Sequence, residues 1–129
     1  MNDKEFVEGI RDRPSLFGLN GCYYPTAMFL EGFDMASSGG LLRGFTEWLV
    51  VRGGECSSLH WHVLVLQRAL PEFEFRGWKH LGPLHPDQDR EATESLLSLV
   101  LEFLDVRDDP RQLAQMYTQY EALYARTIG

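Results

Sequence analysis

Cysteine is scarce in this chain. Cys22 and Cys56 are the two, too few for a disulfide framework, and both are expected as reduced thiols. No apolar core of signal-peptide length follows the start "MNDKEFVEGIRDRP", and the longest apolar runs, such as "VLVL" at 63–66, fall far short of a membrane span. The expected setting is therefore the cytoplasm, away from membrane. Positive charge is also in deficit: 12 Lys and Arg stand against 19 Asp and Glu, a net charge of −7. Without a basic patch such a chain does not offset phosphate charge, which excludes nucleic acid as a partner and suits a basic one. No internal repeat or low-complexity tract is present. The phosphate loop G-x-x-x-x-G-K-[ST], the nucleophile elbow G-x-S-x-G, the H-E-x-x-H helix and paired C-x-x-C motifs are missing as well. No cofactor, metal or catalytic residue is expected.

What is present is an ordinary globular composition over 129 residues, 44% hydrophobic and 24% charged, which suits a single domain spanning residues 1–129. Glycine and proline divide it into helix-length segments. Residues 3–12 carry Phe6, Val7 and Ile10 on one face and end at Pro14. The second segment opens with Pro25 and carries Phe29, Leu30, Phe33 and Ala36 until "SSGG". The third runs Leu41, Leu42, Phe45, Trp48, Leu49 and Arg52 before Gly53 and Gly54. "SSLHWHVLVLQRAL" at 57–70 fits a helix with Ser57 or Ser58 as N-cap, although "HVLVLQ" also tolerates a strand; helix is preferred because "FEFRGW" at 73–78 is the sole candidate strand to pair with it. Thr93, Leu96, Leu97, Val100, Phe103 and Leu104 form a stripe that Leu99 and Leu101 widen, which predicts a central helix. Asp109 before Pro110 caps a last helix, with Leu113, Met116, Tyr117, Tyr120, Leu123 and Tyr124 on one side. The fold expected is all-α, a compact domain of five or six helices with short loops rich in Gly and Pro.

Three patterns invite a chemical reading. The string "GIRDRPSLFG" resembles one near the start of gyrase-type ATPase domains, but the length, the Asp-x-Gly motif and the glycine-rich lid of those enzymes are missing. It reads instead as a helix end: Arg11 and Arg13 complement the dipole, Pro14 stops the helix, Leu16 and Phe17 pack inward and Gly18 turns the chain. His60 and His62 flank Trp61. Within a helix these two positions point to nearly opposite faces and would not share a metal. Tyr117, Tyr120 and Tyr124 place rings in the core and hydroxyls at its rim.

The third pattern is charge. Between Pro86 and Pro110 there are eight acids and two bases, Arg90 and Arg107. Asp87, Asp89, Glu91 and Glu94 lie in or near the first turns of a helix, where negative charge also complements the dipole. They are the candidate contacts for a cationic partner, with Tyr24 and Trp78 as aromatic anchors.

The order of features resembles a group of small bacterial proteins with a pattern R-P-x-[LMF]-[FY]-x-G, an F-L-x-G-[FY] helix, a [FL]-x-x-W-L helix, a further tryptophan and a terminal Leu/Phe-rich helix. Here these are Arg13 to Gly18, Phe29 to Phe33, Phe45 to Leu49, Trp61, and Leu96 to Leu104. Gly18 directly follows Phe17, one residue earlier than the pattern has it. Many members look like immunity proteins of polymorphic toxin systems. The resemblance implies a bacterial protein that binds and neutralises a cognate protein toxin by covering its active site, without catalysis of its own. The alternative is a small enzyme or ligand-binding domain with a pocket near Trp61 and the histidines. A third reading is a structural or regulatory module that forms a homodimer through an exposed apolar patch.

Overall fold

The computed structural model describes residues 2–71 and 84–128, with side chains through Arg126. Six α-helices and one 3-10 turn make up the described chain, and no strand occurs among the described residues. The helices are α1 (Asp3–Asp12), α2 (Tyr23–Ala36), α3 (Phe45–Gly53), α4 (Trp61–Ala69), α5 (Pro86–Arg107) and α6 (Pro110–Ile128). "HVLVLQ" is therefore helical. The segment "FEFRGW", together with Trp78 and His80, lies outside the described residues.

α5 is the hub. It touches each of the other five helices, while α6 lies along α3. Its stripe is buried as its period requires: Ala92, Leu96, Leu97, Leu99, Val100, Phe103 and Leu104 are all inside. Phe103 joins Phe45 (ring centroids 5.4 Å apart) and Trp48 (5.9 Å), and Phe45 meets Trp61 at 5.7 Å. This aromatic cluster locks α3 and α4 onto α5.

The helix ends explain the boundaries. Asn2 caps α1, its side chain accepting from Glu5 N at 2.8 Å. Asp109 caps α6 as its position predicts, accepting from Arg111 N (3.0 Å) and Gln112 N (3.3 Å). The Gln112 side-chain amide adds a bond at 2.9 Å, the main reason the Asp109 carboxyl lies below its ordinary pKa. At α4 the cap is His60, not Ser57 or Ser58. Its Nδ1 accepts from His62 N at 3.5 Å, while Ser57 Oγ closes a local turn with Leu59 N.

Two inward placements are corrected. Leu41 and Leu42 are buried but stand before α3, because Asp34 Oδ1 captures both their amides (3.2 and 2.7 Å) and Gly44 turns the chain at φ 93°. A Cβ on Gly44 would lie 2.8 Å from the Tyr117 hydroxyl, so both backbone and neighbour require glycine here. In "RPSLFG", the 3-10 turn Pro14–Phe17 closes with Leu16 N to Arg13 O and Leu19 N to Pro14 O. That turn clamps Phe17 against Phe6 (5.6 Å) and Phe29 (5.9 Å) but points Leu16 outward, 71% exposed.

Candidate functional site

The acids of α5 divide by helical position. Asp89, Glu102, Asp105, Asp108 and Asp109 are engaged within the chain: Asp89 on Tyr23, Glu102 with Arg52, Asp105 with Lys4, Asp108 with Arg107 and Asp109 as the α6 cap. Asp87, Glu91 and Glu94 stand at i, i+4 and i+7, all exposed, and form one ridge. Asp87 lies 3.9 Å from both His85 and Arg90. Glu91 and Glu94 have no ion-pair partner among the described residues.

Asp89 belongs to the interior side. Cys22, at the N-cap of α2, makes no capping side-chain bond. Asp89 supplies it across the fold, its Oδ1 accepting from Tyr23 N at 2.6 Å, and the Thr93 hydroxyl donates to Gly21 O at 2.9 Å. The start of α2 is thereby tied to the first turns of α5. Burial, then the Asp89 charge, raises the Cys22 thiol above its ordinary value, so it stays protonated and is a poor nucleophile. Tyr24 is half-buried beside them, its ring edge-on to Tyr23 at 5.6 Å. Burial, then Asp89, pushes its hydroxyl up too.

Beside the ridge lies a cleft of about 400 Å³ between α1, the start of α2 and α5. Its floor includes Ile10, Pro14 and Leu97, and its rim carries Arg11, Arg90 and Glu94. Arg11 is paired with Asp12 at 2.9 Å. The "IRDRP" motif and the acidic helix thus meet at one place, a relation no local spacing in the sequence announces. A second cleft, about 530 Å³, lies between α3 and α4 and is lined by Arg52, Cys56, Ser57, Leu64 and Arg68 among others.

The histidine cluster is compact. The His60 and His62 rings are neighbours, with centroids 4.3 Å apart, because His60 precedes α4 and escapes the opposite-face rule. His60 Nε2 lies 3.5 Å from Glu31 Oε2, which also accepts from the Trp61 indole N–H at 2.8 Å. Trp61 and His62 are buried, and the Tyr23 hydroxyl donates to His62 O. Burial, then the His60 charge, lowers the His62 pKa to about 4. No group of three metal-ligating side chains occurs among the described residues.

Tyr120 and Tyr124 have centroids 4.8 Å apart, and the Tyr124 hydroxyl donates to Ser57 O at 3.1 Å. These tyrosines fasten α6 to α3 and the loop after it. Among the described residues no helix is long and apolar enough to cross a membrane. Comparison with protein-family models, curated proteins and solved structures finds no match to this chain.

Proposed function

We propose that this chain is an immunity-type protein of a bacterial toxin system. On this reading it resides in the cytoplasm, performs no catalysis, and neutralises one cognate protein toxin by covering that toxin's active site or substrate groove. The observation that carries the reading is the exposed ridge of Asp87, Glu91 and Glu94 beside a cleft with an apolar floor. An acidic ridge steers a cationic surface, and a cleft of that kind accepts an anchoring side chain from it. Toxins that act on nucleic acid or nucleotides present such cationic surfaces.

The small-enzyme reading draws less support from the geometry. Trp61 and His62 are core residues and His60 is occupied in capping α4. The test is co-purification with a secreted toxin encoded immediately upstream, together with rescue of cells that express it. Binding and rescue are expected. A toxin that neither binds nor is neutralised, or rescue abolished by His60→Ala in a folded, still-binding protein, would overturn the proposal in favour of the alternative.

A further inference from the structure

α2 is the least charged helix on the surface. Its buried side presents Tyr23, Thr26, Ala27 and Leu30 to the core. The opposite arc, Pro25, Met28, Gly32, Met35 and Ala36, is exposed and carries no charge, with Met28 47% and Met35 71% accessible. Phe33 (37%) flanks it, and Leu16 is held outward on the adjoining 3-10 turn. Between Arg13 and Arg43 the chain has no Lys or Arg, and its two acids there, Glu31 and Asp34, are held in internal hydrogen bonds.

We propose that this arc of α2 is a self-association surface, pairing with the same arc of a second copy of the chain. Charge selects the occupant. The arc offers nothing to a cationic toxin, whose match is the ridge on α5. It is a surface on which two copies of a −7 chain meet without opposing like charges. The pattern is also self-complementary. Met28 precedes Gly32 by four residues and Met35 follows it by three, so antiparallel helices crossing at Gly32 set Met28 of each copy beside Met35 of the other. Methionine adapts readily to such a contact. Gly32 itself has no use in the monomer: a Cβ there would meet nothing within 4 Å, and glycine inside a helix is destabilising relative to alanine. Close approach of a second helix supplies the missing reason.

The proposal stands independently of the toxin reading, since it uses a different face. Sedimentation of the purified protein from about 1 µM to about 500 µM tests it, the arc being smaller than a standard interface and the dimer correspondingly weak. Reversible growth from 14.8 kDa toward twice that mass is expected. Met28→Lys with Met35→Lys should leave a folded monomer throughout. Gly32→Leu, which has open space in the monomer, should keep the melting temperature of the dilute protein and weaken association at least about tenfold. Glu91→Lys should leave the dimer unchanged. A wild-type monomer at every concentration, or a dimer that both α2 variants leave intact, overturns the proposal. So does a monomeric protein whose toxin binding is lost in the Met28/Met35 variant, because the arc would then belong to the toxin.

Discussion

Asp89 shows how far a residue's role departs from its neighbourhood in sequence. It stands among solvent-facing acids yet caps a helix 66 residues away. Asp89→Ala strands the Tyr23 amide and should cost about 1–3 kcal/mol, whereas Asp87→Ala should change stability by less than about 0.5 kcal/mol. Urea denaturation of the two variants separates them; equal losses would contradict the assignment. His62 carries the pH dependence. Its folded pKa is depressed to about 4, while an unfolded histidine titrates near about 6.5. The unfolded chain therefore takes up the proton first. Stability from this group is full above pH ~6.5 and is lost as pH falls from there toward about 4, on the order of 2–3 kcal/mol over the window. Urea unfolding at pH ~7.5 and ~5 should show a larger drop for the wild type than for His62→Gln; parallel drops would refute the role. Neither residue's environment was legible from sequence, because each is set by contacts between elements. Burial of Trp61's neighbour as a core histidine was the ordinary expectation, and the exposed position of Leu16 was not.

At the scale of elements, periodicity carried α1, α5 and α6, and Asp109-Pro110 marked the start of α6 by its own chemistry. What local pattern missed were starts determined elsewhere. Asp34 draws off the Leu41 and Leu42 amides and delays α3, and His60 displaces the serines as cap of α4. Gly44 is the strictest of these junctions. Gly44→Ala meets both a positive φ and the Tyr117 hydroxyl, so it should destabilise by about 2 kcal/mol or more, while Gly54→Ala has open space and carries the backbone penalty alone. Melting temperatures of the pair check this: the Gly44 variant should melt several degrees lower. On α5, the acidic cluster was legible as charge, but its division into interior and outward members was not, since it required knowing which face α2 covers.

The whole molecule is a hub-and-rim arrangement: α5 runs through the centre and exposes one acidic edge near its start. An all-α fold followed from spacing and caps. The functional surface follows less directly, since Arg11, Pro14 and Glu94 come together only when α1 lies on α5. Trp78, a sequence-based anchor, falls outside the described residues. The most direct measurement is a titration of the cognate toxin with wild-type protein and with the Asp87→Lys, Glu91→Lys, Glu94→Lys variant at low and high salt. Asp89 stays unchanged so that α2 keeps its cap. The account expects the variant to stay folded, bind at least about tenfold more weakly, and lose much of the salt dependence, because like charges then face each other. A folded variant with unchanged affinity and salt slope would contradict it.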